Sequence, residues 1–386
     1  MPLLVVLGLI SFSSAIAIRI PDPLSPLIAR DLGVTVETAA LLASAYAFPY
    51  ALAQPVLGPL ADALGKARVI KVCLAVVAAA TLAGWLAPDY GTLAASRVVA
   101  GAASGGAIPI CFAIVGDRFD YAHRQVALAR VLAAAVTGQL FGSVASGAIG
   151  DAFGWRAPFL VSLTISAAAL AATILALRPR ADATRKPFTL AGARAGYAQV
   201  LANPRAPICY ATVFCGGLAN YGVFPHLAHL FEMRGVGGVR EAGFAVGGFG
   251  VGGILFSFAV GAILKRIGMF AMMRLGGVIA GSALATLALT QAWQAAAGAF
   301  VAIGVGFYMV HNSMQTQASE LAPSARGSAM ALHACFFFLG IALGPPVTGL
   351  GFATIGPTPT LLALAAFASV IGATSAALLT ARGARG

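Results

Sequence analysis

Long apolar runs separated by short polar breaks fill this chain from end to end. A bilayer core takes about 20 apolar residues per helix. The runs therefore predict twelve spans, near 2–24, 36–60, 69–88, 91–117, 125–150 and 157–177, then 207–231, 242–264, 272–290, 293–317, 328–350 and 359–380. The longest polar connection, 178–206, falls between spans 6 and 7. The expected architecture is an all-α integral membrane protein. Residues 1–177 form one six-helix bundle, 178–206 a basic cytoplasmic linker, and 207–386 a second six-helix bundle. Within the linker a short amphipathic helix is expected at 190–201, lying along an anionic leaflet; a plain solvated tether is the alternative.

Composition agrees with the pattern. Of 386 residues, 60% are hydrophobic and only 9% charged, with mean hydropathy +0.91, whereas soluble domains carry about 25% charged residues. Residues 2–18 resemble a signal-peptide core but lack a positive leading segment, so they read as the first span. The net charge of +12 would raise nucleic-acid binding in a soluble chain. Here the bases sit between apolar runs and set orientation instead. Eighteen of the 24 Lys and Arg residues fall on the side holding the even-numbered loops and the C-terminus, five fall on the other, and Arg97 lies inside span 4. The positive-inside rule makes the first side cytoplasmic, with both termini there. Cys73, Cys111, Cys209, Cys215 and Cys335 lie in apolar runs with no ligand spacing, so neither disulfides nor a metal site is expected.

The two halves repeat. Gly138, Gly142, Ser146 and Gly147 in span 5 match Gly340, Gly344, Thr348 and Gly349 in span 11 at a shift of 202, and Arg124 matches Arg326. Gly58 and Gly65 match Gly261 and Gly268 at a shift of 203, with Asp62 replaced by Lys265. Repeated halves of this kind imply a transporter with its site between them at mid-membrane.

Three motifs carry a resemblance to the major facilitator superfamily over nearly the whole length. The stretch Gly58-Pro-Leu-Ala-Asp62-Ala-Leu-Gly65-Lys66 resembles its loop between helices 2 and 3. Arg97-Val-Val-Ala-Gly101 resembles the helix 4 pattern of its twelve-helix drug/proton antiporters, and Asp22-Pro-Leu-Ser-Pro26 the end of their helix 1. The chain departs from that subgroup in span 5, where Ser143 stands at the proline position and the proline appears instead as Pro345 in span 11. The resemblance implies that the stretch Gly58–Arg68 is a cytoplasmic latch across helices 2, 4 and 11, in which Gly58, Asp62, Gly65, Lys66, Arg68 and Asp117 take part; a simple turn is the alternative.

An intramembrane charge is costly and usually paired. Arg97 is expected to pair with Asp22 as a proton-coupling site, with Arg19, three residues before Asp22, as the rival partner. A solute path is expected along Arg19, Tyr46, Tyr50, Asn220, Tyr221, Phe224, His226, His311 and Gln315, where polar groups or amphipathic rings could face a cavity. His311 and Gln315, four apart, share a helix face; interhelical hydrogen bonding is the plainer reading for each. The run Phe336-Phe337-Phe338 reads as lipid-facing or as core packing. The stripe Gly138, Gly142, Ser146 and Gly150, with Gly344 and Pro345 in its span 11 copy, suits close helix packing.

No phosphate loop, H-E-x-x-H or catalytic triad spacing occurs, which points away from an enzyme and from ATP as the energy source. The expectation is a monomeric, cofactor-free secondary transporter of a bacterial-type inner membrane. Its ligands would be a small-molecule substrate and protons, its surroundings the lipid bilayer, with no nucleic acid. Proton-coupled efflux of a partly apolar solute or drug leads; proton-linked carriage of a sugar, nucleoside or amino acid on the same fold is the alternative, and a non-transporting receptor a more distant one.

Overall fold

The computed structural model describes residues 3–177 and 190–383. The linker bases Arg178, Arg180, Arg185 and Lys186 and the tail residue Arg385 lie outside them. Every described element is helical. Among the described residues ten helices are long and apolar enough to cross a membrane; one of them is two spans joined end to end, and a broken seventh span brings the total to twelve. Spans 2, 3, 5 and 6 are Val36–Leu64, Lys66–Trp85, Tyr121–Phe153 and Arg156–Ala176, and spans 10, 11 and 12 are Trp293–Ser319, Arg326–Ile355 and Pro357–Gly383. Spans 8 and 9 run together as Val239–Leu289, parted only at Gly268, whose φ is 74°. The linker helix is Leu190–Leu201.

Three spans are broken rather than continuous. Span 1 runs Leu3–Arg19, turns through a 3-10 segment Asp22–Leu24, and continues as Ser25–Leu32, so it is eight residues longer than its apolar run. Span 7 repeats this as Ala206–Tyr221, Phe224–His226 and Leu227–Arg234. Pro23 and Pro225 each withhold a backbone N–H, which releases the helical ladder at both turns. Span 4 divides into Tyr90–Ser104 and Ala107–Arg118. At its bend, a Cβ on Gly105 would lie 2.7 Å from the Tyr50 carbonyl oxygen, and Gln54 donates to the Gly105 carbonyl at 2.6 Å.

The polar stretch expected to be a loop is mostly helix. Gly58 and Asp62 lie in the last turns of span 2, and Arg68 lies in the first turn of span 3. The break is the single residue Gly65, at φ 97°, where a side chain would be strained. Gly268 makes the same one-residue break in the other half.

The shift of 202–203 runs through the whole fold. Gly33 and Gly235, and Gly154 and Gly356, end equivalent helices at matching positive φ. Gly138 packs on the Phe12 carbonyl and Gly340 on that of Phe214; Gly101 packs on Tyr46 and Gly304 on Phe249. Each pair of contacts obeys the repeat. Between the halves, span 2 packs on span 11 and span 5 on span 8, with Gly147 and Gly243 in backbone contact.

Burial is distributed unevenly along the molecule. At the end carrying Arg30, one apolar core is continuous across both halves, from Ile20, Leu24 and Leu42 to Phe224, Leu227 and Phe300. At the end carrying Lys66, each half has its own: Leu7, Ile10, Ile70 and Ile114 on one side, Cys209, Met273, Met314 and Leu379 on the other.

Candidate functional site

Arg19, at the last residue of the first helix of span 1, is buried and donates to the Asp22 carboxylate at 3.0 Å. The helix break between them brings this i, i+3 pair together. A second arm of Arg19 reaches Gln139 of span 5 at 3.4 Å. Its guanidinium lies 4.5 Å from the Tyr221 ring and 5.0 Å from that of Phe224, across the contact between the halves. Such cation–π contacts are worth about 0.5–2 kcal/mol depending on desolvation. The second Asp22 oxygen, Oδ1, has no hydrogen-bond partner.

Arg97 makes a different arrangement from the expected one. It covers the Tyr46 ring at 4.3 Å and donates to the Ile18 carbonyl at 3.4 Å, while its Nε is without a partner. The hydrogen-bonded partner of Asp22 is thus Arg19, the rival reading. Arg97 adds a second positive charge near the same carboxylate without bonding it.

The aromatic lining is richer than the sequence suggested. Tyr221 packs against Phe224, Phe249, Phe307 and Phe337 at centroid distances of 4.9–5.6 Å. Tyr46 stacks toward Tyr50, and Tyr50 meets Phe338 at 4.1 Å across the halves. Phe337 and Phe338 therefore pack among the core rings, the second of the two readings given for that triple, and not on a lipid-facing surface. Beside Arg19 a narrow recess, with room for about one water molecule, is lined by Gln139, Ser143, Phe224, Phe249 and Tyr308, among others.

Of the other expected site residues, His226 and Asn220 lie apart from this centre, whereas His311 borders it through Phe307 and Phe337. His226 is buried, with Nε2 2.9 Å from the Pro345 carbonyl oxygen, so that nitrogen carries the proton and the histidine ties span 7 to span 11. Asn220 faces a separate recess inside the C-terminal half, with Thr212, Gly216 and His311. One residue of helix rotates a side chain by about 100°, which is why it parts from Tyr221. His311 stacks on Phe307 at 5.0 Å and meets His333 at 5.0 Å. Gln315, one turn on, is exposed.

At the Lys66 end the acids gather as the sequence suggested. Lys66 Nζ lies 2.7 Å from Asp117 and 3.4 Å from Asp62. No ion pair among the described residues extends this group to span 11, where Arg326 instead binds Glu320 at 3.0 Å. In the packing stripe, Gly138 and Gly142 lie against span 1, Ser146 is buried, and Gly344 lies against Gly222. Sequence reasoning missed Gln139, Phe249, Phe307 and Tyr308. Phe249 was reachable, since it is Tyr46 shifted by 203.

A profile of the Major Facilitator Superfamily matches residues 7–345. The chain belongs to that superfamily. Superfamily relatives include the "Uncharacterized MFS-type transporter YwfA" of Bacillus subtilis, 25% identical over 92% of this chain and 88% of its own. The "Inner membrane transport protein YdhP" of Escherichia coli is 23% identical over 85% and 83%. Among solved structures, a point mutant of the nucleoside transporter NupG superposes with TM-score 0.80 at 14% identity, covering 97% of this chain and 99% of that one. The human organic anion transporter MFSD10 superposes with TM-score 0.70 at 16% identity, covering 96% and 99%. The fold is therefore the twelve-helix major facilitator fold. The protein is a multi-pass membrane transporter of this superfamily and not an enzyme.

Proposed function

We propose that this transporter is a proton-coupled carrier of a small, partly apolar solute, working by alternating access in a bacterial-type plasma membrane with both termini cytoplasmic. The buried Arg19–Asp22 pair at the contact between the halves carries this reading. A carboxylate that can exchange a proton, held by a guanidinium lying over rings of the opposite half, links protonation to the packing between halves. The shared core at the Arg30 end and the separate cores at the Lys66 end suit a carrier closed at the first and opening at the second. In that cycle Lys66, Asp62 and Asp117 brace spans 2, 3 and 4 at the cytoplasmic face. The linker helix straps the halves through Tyr197, which donates to the Pro55 carbonyl at 2.8 Å.

Efflux by exchange, as in the drug/proton antiporters that the motifs resemble, requires solute and proton to compete for the same carboxylate. The test is transport by purified protein in liposomes, with a solute chosen by thermal shift from a panel of drugs, nucleosides, sugars and aromatic acids. Asp22→Asn is expected to abolish accumulation driven by an imposed pH gradient while solute-for-solute exchange persists. Gradient-driven accumulation that survives Asp22→Asn unchanged would rule out this assignment.

A further inference from the structure

The charge balance of the buried centre bears on the substrate. Among the described residues, the buried side chains that carry formal charge are Arg19, Asp22 and Arg97. Two positive charges and one negative leave the centre with one uncompensated positive charge. The histidines of the C-terminal half make no ion pair there. Uncompensated charge in a membrane interior is expensive. The rings of Tyr221, Phe224 and Tyr46 offset part of that cost but bring no negative charge.

The hydrogen-bond inventory leaves a guanidinium donor free beside that excess charge. A guanidinium has five N–H donors. Arg19 directs two of its nitrogens to Asp22 and Gln139, and Arg97 has an unpartnered Nε. One donor, Arg97 Nε, and one acceptor, Asp22 Oδ1, are left unpaired at the centre. The recess that opens beside Arg19 is walled by Phe224, Val246 and Phe249, with Gln139, Ser143 and Tyr308 at its polar side.

We infer that the substrate is an amphipathic organic monoanion, a carboxylate on a compact apolar body, held by Arg19 with its body against Phe224 and Phe249. This rests on the reading of Asp22 as the proton-binding group. Facing Asp22 are Arg19 on its own span, Arg97 on span 4 and Tyr221 on span 7, while Gln139 of span 5 meets it through Arg19. Ionised, Asp22 occupies Arg19 and competes with a substrate carboxylate. Protonated, it frees that guanidinium and leaves the centre with two positive charges, one of which the substrate carboxylate takes up, so the resting balance is restored. Proton and anion therefore bind together and cross in the same direction, the reverse of exchange. A cationic solute would meet net positive charge.

The test uses charge-matched probes: benzoate, benzamide and benzylammonium, with hexanoate, hexanamide and hexylammonium beside them. Binding is measured by thermal shift and titration on the whole chain in phosphatidylcholine vesicles, so that no lipid supplies the anion. The carboxylate of at least one triple is expected to bind best, and about tenfold more tightly at about pH 6 than at about pH 8. Asp22→Asn should bind it tightly at both. Arg19→Gln alone leaves Asp22 buried without its partner, so Arg19→Gln combined with Asp22→Asn is the cleaner variant, and it should lose the preference for the anion. The inference is overturned if an amide or ammonium matches or exceeds its carboxylate, if no carboxylate binds, or if the double variant keeps the preference. Should an ammonium win while transport still depends on Asp22, the anion is wrong and the proton site stands. Should carboxylates win while Asp22→Asn still accumulates them in a pH gradient, the proton site is wrong.

Discussion

The broken turns of spans 1 and 7 have one backbone and two chemistries. Asp22-Pro23-Leu24 and Phe224-Pro225-His226 are both 3-10 segments at a shift of 202, each followed by a helix ending at a left-handed glycine. Arg19 stands before the first and Tyr221 before the second, and these two equivalents touch at 4.5 Å. Arg30 and Glu232 are also equivalents, and they pair at 3.4 Å. Equivalent residues of two halves meet only near the axis relating them, so both contacts mark that axis. What the halves share is what the fold needs: a proline, a glycine, a close approach of helices. What they do not share is the function: a charged turn in one half and an aromatic turn in the other.

The shared features should be the least tolerant. A Cβ on Gly138 would lie 2.5 Å from the Phe12 carbonyl oxygen, and one on Gly340 would overlap that of Phe214. Overpacking costs about 1–3 kcal/mol, and more where backbone must move. Gly138→Val and Gly340→Val are both expected to lose most monodisperse protein in detergent, as followed by size exclusion and thermal midpoint. A well-folded variant at either position would break the equivalence of the halves.

The unshared features should separate sharply. Arg19→Gln strands a buried carboxylate, a loss of about 3–5 kcal/mol, seen as a fall in the thermal midpoint. Adding Asp22→Asn should restore most of it. Tyr221→Phe keeps the ring under Arg19 and should cost far less. If Tyr221→Phe proves as damaging as Arg19→Gln, the division between charged and aromatic turns fails.

On the axis itself the effect is smaller, because Arg30 is largely exposed. Exposed ion pairs contribute about 0–1 kcal/mol. Arg30→Glu sets like charges together and should raise thiol labelling of a cysteine placed at Val34, by up to a few fold. Combining it with Glu232→Arg reverses the pair and should return labelling to the starting level. Labelling that rises equally in the single and the double variant would mean that the pair does not hold the Arg30 end shut.

Much of this was legible in the sequence. Twelve apolar runs and two glycine stripes fixed the count and the repeat, since membrane helices must be long, apolar and closely packed. The aromatic site was less so. Phe337 and Phe338 differ from Phe336 only by helix rotation, and Phe336 stacks on Tyr210 instead. Which face of a span meets the other half depends on tertiary packing, and apolar side chains leave no polar pattern to read it from. The Arg19–Asp22 bond was ambiguous because Arg97 was an equally charged neighbour, and only the break in span 1 decides between them.

The smallest difference between the halves lies at the helix starts near the Lys66 end. Span 5 is capped by Asp120, which accepts from the His123 backbone N–H, whereas span 11, its equivalent, begins at Ala325 with no side-chain cap. The His123 N–H, and then its ring, hold the Asp120 carboxyl below the ordinary carboxylate range. A carboxyl so lowered contributes stability above its unfolded value and loses it as pH falls through the folded one. Acidification below about pH 4 should therefore lower amide protection, measured against the intrinsic exchange rate at each pH, in the first turn of span 5 more than in the first turn of span 11. Asp120→Asn should retain the cap, since Asn caps about as well as Asp, but remove the pH dependence. Equal fraying of spans 5 and 11 on acidification would show that the asymmetry is one of overall charge and not of this cap.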